Sequence, residues 1–237
     1  MSQSIKPIHT ARQMARIAGL SYLIYTLAGL YITFGPTPGL GTLKDLDVAA
    51  ADHELLFRLD FLAEAILYTA VGLSSAAMYA VLRTVSLGMA IMGAFCRLVE
   101  ASMGATFIVL KFAAFTAATN PNVLVALSNV ERGAVTGFLA HVYGSAIYFL
   151  LIPMAIGGVL FFSLFFRARF IPRWLSIWGM LTYTIIGCLA ATVLVDPDLR
   201  EHVMLFFLPG ALFEWIVALW LLFGGINTQH WENVGNG

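Results

Sequence analysis

Long apolar segments alternate with short polar connections along the chain. A helix needs about 20 apolar residues to cross the hydrocarbon core of a bilayer, because lipid cannot hydrogen-bond to an unpaired backbone. This pattern predicts transmembrane helices over residues 17–34, 57–82, 85–110, 136–164, 174–195 and 203–223. Arg83 and Lys111 are taken as the ends of the second and third segments. The expected fold is an all-α, six-helix transmembrane bundle that forms a single domain.

The composition supports a membrane protein and argues against a soluble one. Of the 237 residues, 60% are hydrophobic and only 11% are charged, whereas a soluble domain has about 25% charged residues. The net charge is zero and no basic tract occurs, so nucleic acid is not expected as a partner. The lipid bilayer is the expected surrounding, and small-residue faces such as Gly157-Gly158 leave a homo-oligomer open.

The distribution of basic residues predicts the orientation. If the N-terminus is cytoplasmic, seven lysine and arginine residues lie on that side and five on the other. Arg167, Arg169 and Arg173 between the fourth and fifth segments give the strongest local signal, since cytoplasmic loops are enriched in basic residues. We therefore expect both termini in the cytoplasm, in an inner (plasma) membrane. A short surface helix is expected between Asn120 and Arg132.

Several segments resemble one family. They are ARIAGLSYLIYTLAGLY in the first span, LLFRLDFLAEAILYTAVGLSSAAMYAVLRTVS through the second, FCRLVEASMGA in the third, RARFIPRWLSIWGML before the fifth and PGALFEWIVALWLLFGG in the sixth. Together they resemble the bacterial multi-pass membrane family known as domain of unknown function 4386. The resemblance implies a six-helix bacterial membrane protein and brings no established activity.

Charged residues inside the third segment form the clearest candidate site. Ala90, Gly93, Arg97, Glu100 and Gly104 recur at steps of three and four, so they share one helical face. The small residues indicate that this face packs against other helices. A charge at mid-bilayer costs about 2.5–3.5 kcal/mol, so Arg97 and Glu100 are expected to pair. The pair fits a structural role or a functional one.

The other segments contribute further polar candidates. The second carries a stripe made of Asp60, Glu64, Tyr68, Gly72, Ser75 and Tyr79. Its Asp60 is expected at the membrane interface as a solvated acid. The sixth carries Glu214 just after Pro209-Gly210, without a cation in its own helix, which suits a proton donor. The fourth carries His141 and Tyr148, and a lone histidine there also fits a structural hydrogen bond.

These side chains are expected to line one polar pocket that opens outward. We assign candidate catalytic roles to Glu64, Glu100 and Glu214, and candidate ligand-binding roles to Arg97, Tyr68, His141 and Tyr148. No cofactor is indicated, and no paired histidine or cysteine spacing within a span points to a metal.

Three functions remain open from the sequence. The first is acid–base chemistry on a lipophilic small molecule, or binding of one, by carboxyl groups in a dry pocket. The second is a proton-coupled transporter or permease, because intramembrane carboxylates form proton relays. The third is a non-catalytic sensing or assembly protein in which the buried charges fix helix register.

Overall fold

The computed structural model describes residues 5–36, 53–120, 122–200 and 208–235, and every regular element within these ranges is helical. The helices are α1 (Ile5–Phe34), α2 (Glu54–Leu82), α3 (Leu87–Thr119), α4 (Asn129–Ala168), α5 (Arg173–Val195), α6 (Leu208–Leu219) and α7 (Thr228–Gly235). Helices α1 to α5 are long and apolar enough to cross a membrane. The all-α class and the multi-pass character are thus confirmed.

The sixth predicted span is only partly described. Helix α6 continues into a π-helical turn, Trp220–Gly224, and together they form a shorter apolar helix over Pro209–Gly224. Residues 203–207 of the predicted span lie outside the described residues, as does the loop of residues 37–52. Pro209 lies in the first described turn of α6.

Several predicted boundaries differ from the structure. Helix α1 begins at Ile5 instead of residue 17, and α4 begins at Asn129 instead of residue 136. Helix α3 continues past Lys111 to Thr119, because Lys111 is buried and paired instead of marking the end of a span. The surface helix expected up to Arg132 is absent among the described residues 122–128, which form turns. There Ser128 accepts a hydrogen bond from the Glu131 backbone and donates one to the Glu131 carboxylate. This capping box starts α4 at Asn129. The last residues of the expected surface helix therefore form the first turn of α4.

The helices pack as a closed ring. Each of α1 to α5 contacts the next helix along the chain, and α6 contacts both α5 and α1. The ring closes where Gly19 of α1 meets α6, since a Cβ on Gly19 would lie 2.8 Å from the carbonyl oxygen of Ala218. Gly93 and Gly157 likewise allow α3 and α4 to approach, because a Cβ on Gly157 would lie 3.0 Å from the Gly93 carbonyl oxygen. Glycine at these crossings follows the rule for packing of membrane helices.

The outside of the ring is apolar. Large hydrophobic side chains are exposed on each of the five long helices, including Leu20, Leu62, Phe95, Phe149 and Leu181. In water such a surface would favour association, whereas in a bilayer it is solvated by lipid. The buried charged side chains among the described residues contact one another inside the ring; they are Asp60, Glu64, Arg97, Glu100 and Lys111.

Candidate functional site

The first buried group of charges lies in the middle of the ring, and we call it the arginine cluster. Its ion pair joins Arg97 Nη1 to Glu100 Oε2 at 2.8 Å, with both residues only 3% exposed. The expected i,i+3 pair therefore forms. These two atoms do not meet with hydrogen-bond geometry, so their contact is mainly electrostatic. The Arg97 guanidinium also lies over the rings of Tyr25 and Tyr183, 5.7 and 6.0 Å from the ring centroids.

Glu214 of α6 is the second carboxyl of the arginine cluster. Its Oε1 accepts hydrogen bonds from the Tyr183 hydroxyl at 3.0 Å and the Tyr25 hydroxyl at 3.5 Å. Its Oε2 accepts one from the Thr26 hydroxyl at 3.4 Å. Glu214 also interacts electrostatically with Arg97. The partners of Glu214 thus come from α1, α3 and α5, as expected for a carboxyl without a cation in its own helix.

Packing holds the tyrosines of the arginine cluster in place. The Tyr183 ring stacks on Phe162 with the centroids 5.8 Å apart, and its hydroxyl lies 2.8 Å from that of Tyr22. A Cβ on Gly158 would overlap the Tyr183 ring, so glycine is needed there to admit it. The hydroxyl that donates to Glu214 is therefore fixed by its surroundings.

The second buried group lies nearer the end of the ring where α2 begins and α3 ends, and we call it the lysine cluster. Lys111 Nζ contacts both Asp60 Oδ2 and Glu64 Oε1. All three residues are at most 3% exposed. The Tyr143 hydroxyl of α4 donates to Glu64 Oε1 at 2.6 Å. The ammonium also lies 5.1 Å from the ring centroid of Tyr143, which adds a cation–π contact.

One oxygen of the lysine cluster has no partner within the described residues. Asp60 Oδ2 contacts Lys111, whereas Asp60 Oδ1 is buried and accepts no hydrogen bond. Leaving a buried charged oxygen unpaired costs free energy. Asp60 is therefore a member of the buried cluster and not the solvated interfacial acid expected from the sequence.

Tyr68 lies between the two clusters. It interacts electrostatically with Glu64 on one side and Glu100 on the other. Its ring occupies the space beside Gly104, where a Cβ would overlap it. Since an α-helix rises 1.5 Å per residue, Glu100 and Lys111 are separated by about 16 Å along α3. Tyr68 thus interacts with one carboxylate of each cluster.

Two sequence candidates lie elsewhere. His141 is exposed, and Tyr143 reaches Glu64 in its place, since residues two apart on a helix point about 200° apart. Tyr148 is buried against Ala190 and Val193 at the contact of α4 with α5. The structure therefore places Glu100, Glu214 and Arg97 in the arginine cluster and Glu64 in the lysine cluster, and Tyr68 interacts with both. His141 and Tyr148 belong to neither cluster.

The described residues also form one open groove, with a volume of about 330 Å³, and it is largely apolar. It lies between α2 and α3 and is lined by Gly72, Ser75, Ala76, Tyr79, Ile91, Ala94, Phe95 and Leu98. The groove therefore differs from the polar pocket expected from the sequence. Of the α2 stripe, only Gly72, Ser75 and Tyr79 line it. The charged side chains instead contact one another inside the ring.

Sequence reasoning missed three kinds of site residue. Lys111 resembles the polar end of a span, although it continues the face that carries Glu100 and Gly104, seven residues after Gly104. Tyr143 was overlooked beside the histidine. The hydroxyls of α1 and α5 were missed because tyrosine and threonine in an apolar span carry no signal of their own.

The geometry describes a membrane-embedded helical bundle with two internal charge clusters. The chain belongs to the domain of unknown function 4386 family, whose model matches residues 17–225. This confirms the family resemblance seen in the sequence. No curated protein and no solved structure matches the chain.

Proposed function

We propose that this protein is a proton-coupled membrane transporter whose two buried clusters bind protons. The supporting observation is the ratio of charges. In the lysine cluster, Asp60 and Glu64 face Lys111. In the arginine cluster, Glu100 and Glu214 both interact with Arg97. Each cluster thus has one carboxylate more than its cation neutralises.

Binding of one proton neutralises the uncompensated carboxylate of a cluster. An uncompensated charge in a low-dielectric interior is expensive, and a carboxyl group avoids the expense by taking up a proton. The two clusters lie at different depths, and Tyr68 interacts electrostatically with a carboxylate of each. Its hydroxyl group is able both to donate and to accept a hydrogen bond. Chains of intramembrane carboxyls and hydroxyls of this kind are typical of proton relays in pumps and transporters.

The proposed topology has six spans with both termini in the cytoplasm of a bacterial inner membrane. The distribution of arginines supports it. Six lie toward the end of the ring where α1 and α3 begin, namely Arg12, Arg16, Arg83, Arg167, Arg169 and Arg173, and three lie toward the other end, namely Arg58, Arg132 and Arg200. Glu54, Asp196 and Asp198 lie toward the opposite end. A C-terminal reporter that is active only in the cytoplasm should be active, and an inactive one would overturn this orientation.

Proton movement in liposomes tests the function. The purified protein is reconstituted with a trapped pH dye, with equal Na⁺ and K⁺ on both sides and valinomycin to remove the membrane potential. After a pH jump, the internal pH should relax faster than in protein-free liposomes. Glu64→Gln and Glu214→Gln should abolish most of this difference. Glu54→Gln is the matched control, since its carboxylate is exposed and paired with Arg58.

Two results would count against the proposal. If correctly inserted protein relaxes the internal pH no faster than protein-free liposomes do, the proposed transport function is wrong. Equal relaxation in wild type and both cluster variants would mean that protons move without these carboxyls. In either case, structural charges that fix helix register become the better interpretation.

A second candidate, a lipophilic ligand, is supported by the groove between α2 and α3. Ala94 and Leu98 line it and lie beside Arg97 along α3. Mass spectrometry of molecules retained by protein purified in native lipid would test this candidate. A discrete lipophile should be lost in Ala76→Phe, which fills the groove, and kept in Ala65→Phe, an exposed site elsewhere on α2. Identical bulk phospholipid on all three proteins would reject it.

A further inference from the structure

We infer that the groove between α2 and α3 binds one phospholipid with an anionic headgroup, with an acyl chain in the groove and the phosphate at Arg83. The inference rests on the second candidate of the proposed function, for which it names the ligand and its orientation. It arises from a polar mouth that continues the apolar groove along one face of α2.

The body of the groove suits an acyl chain. Its lining comes from residues 72–79 of α2 and 91–98 of α3, so each helix contributes a stretch of about 10 Å at a rise of 1.5 Å per residue. The Ser75 hydroxyl donates to the Ala94 carbonyl oxygen at 3.2 Å, and its hydrogen is therefore used within the protein. A Cβ on Gly72 would meet nothing within 4 Å, so the groove is open there. An unbranched apolar chain fits this lining.

The polar mouth lies where α2 ends. Tyr79 lines the groove, and Arg83 follows four residues later, on the same face of the helix. The helical geometry extends to Arg83, since its backbone N–H donates to the Tyr79 carbonyl oxygen at 2.9 Å. Its Cα thus lies about 6 Å beyond that of Tyr79 along the helix. Arg83 is exposed, so a positive charge stands at the open end of the groove.

The two polar groups of the mouth match the order of groups in a phospholipid. Within the described residues, the Tyr79 hydroxyl makes no hydrogen bond and the Arg83 guanidinium makes no ion pair. A phospholipid presents ester oxygens next to its chains and a phosphate beyond them. The Tyr79 hydroxyl suits the esters, because tyrosine is enriched at this level of membranes. The guanidinium suits the phosphate, with which it forms paired hydrogen bonds.

The charge of this end of the ring favours a headgroup with a net negative charge. Among the side chains that the structure describes, every carboxylate lies in the middle of the ring or toward the opposite end. None is therefore placed to pair with the ammonium group of a zwitterionic headgroup. The same end carries other arginines, including Arg12, Arg16 and Arg167. Basic side chains near a membrane surface attract anionic lipids.

Native mass spectrometry of the full-length, delipidated protein tests the inference. The probe is an equimolar mixture of phosphatidylglycerol and phosphatidylcholine, both with oleoyl chains. Wild type should bind phosphatidylglycerol first, with a preference of about fivefold from one arginine near an anionic headgroup. Arg83→Gln should remove this preference. Arg167→Gln is the matched control and should keep it, because the exposed Arg167 contacts Met89, which points about 200° away from Ile91 of the groove.

Two further variants separate the site from misfolding. Arg83→Glu should prefer a trimethylammonium lipid with oleoyl chains over phosphatidylglycerol, and a misfolded protein would not reverse its preference in this way. Ala76→Phe fills the groove and should lose the first bound phosphatidylglycerol. Ala65→Phe, at an exposed position of α2 outside the groove, should retain it.

Three outcomes would overturn the inference. They are equal binding of the two lipids by wild type, an unchanged preference in Arg83→Gln, and an unchanged preference in Ala76→Phe. A zwitterionic or uncharged lipid that Ala76→Phe alone loses would keep the groove as a ligand site and reject the anionic headgroup. The proposed proton transport fails separately, through the liposome assay, because lipid binding in micelles does not depend on proton movement.

Discussion

The arginine cluster and the lysine cluster have the same ratio of charges but different surroundings. Hydroxyl groups from α1 and α5 surround Glu214, and Tyr183 stacks on Phe162. In the lysine cluster, Tyr143 donates to Glu64, and Asp60 Oδ1 has no partner within the described residues. The same charge ratio therefore does not impose the same hydrogen bonding. Three hydroxyl groups donate to Glu214 and one donates to Glu64. One oxygen of Asp60 and one of Glu100 are buried without a hydrogen bond within the described residues.

This difference has a physical origin in the sequence. Helix α1 carries Tyr22, Tyr25 and Thr26 at spacings that place their hydroxyl groups toward the centre of the ring. At the level of the lysine cluster, Tyr143 supplies one hydroxyl group, and the aromatic residues packed nearby include Phe57, Phe61 and Phe115, which have no polar atoms. These rings exclude water and lower the local dielectric, so they strengthen the attraction between Lys111 and its carboxylates.

The largest effect should come from removing one charge of the arginine cluster. Arg97→Leu leaves Glu100 buried without its ion pair, and we expect a loss of roughly 3–5 kcal/mol in the free energy of unfolding. The double variant Arg97→Leu/Glu100→Leu should recover much of this loss, because an apolar pair replaces a stranded charge. Reversible unfolding in mixed micelles measures both. A double variant as unstable as the single one would mean that the pair itself is needed for folding.

A smaller effect should follow from filling the space beside the tyrosines. Gly158→Ala pushes on Tyr183, and Gly104→Ala pushes on Tyr68. Overpacking of this kind typically costs 1–3 kcal/mol, so we expect a loss of about that size. Gly72→Ala is the matched control, since a Cβ there meets nothing within 4 Å. The melting temperatures of the three variants measure this loss of stability. A melting temperature of Gly158→Ala equal to that of wild type would show that Tyr183 is free to move.

Removing single hydroxyl groups should sharpen the comparison further. Tyr183→Phe and Tyr143→Phe each delete one hydrogen bond to a carboxylate, at 3.0 Å and 2.6 Å. Hydrogen bonds to charged groups contribute about 1.5–3 kcal/mol. Glu214 retains the donors Tyr25 and Thr26, so Tyr183→Phe should cost less than Tyr143→Phe. The reverse order, measured as the free energy of unfolding, would contradict the assignment of the lysine cluster as the less satisfied one.

The smallest effect is expected at the exposed pair of α2. Glu54 and Arg58 form an i,i+4 ion pair whose side chains are more than half exposed. Surface pairs of this kind contribute about 0.3–0.5 kcal/mol. Glu54→Ala should change the melting temperature by less than any cluster variant, and it should leave proton movement unchanged. A large loss of proton movement would extend the functional path to the end of the ring.

Hydrophobic patterning predicted most of the fold. The five long helices occur where apolar runs were found, because a helix that spans a bilayer must be apolar along its length. The Arg97–Glu100 pair followed from spacing alone. The end of α3 was predicted too early, since Lys111 counts as polar in any sequence pattern until its partners on α2 are known.

The site was less predictable than the fold because its contacts cross between helices. Asp60 and Lys111 are distant in sequence and meet only because α2 packs on α3. The spacing on one helix indicated the polar face, whereas the neighbours of that face depend on the ring order. Residue type alone favours His141 over Tyr143 as a site residue. The rotation between these positions along α4 instead directs Tyr143 to Glu64 and leaves His141 exposed.

The most direct test of proton binding by both clusters is infrared difference spectroscopy of the carboxyl groups in choline chloride. Wild type should show absorption from protonated carboxylic acids at neutral pH that diminishes as the pH is raised. Glu64→Gln and Glu214→Gln should each remove a separate part of this signal, and Glu54→Gln should remove none. Carboxylates that are fully ionised at every pH in wild type would contradict the account and leave both clusters as structural ion pairs.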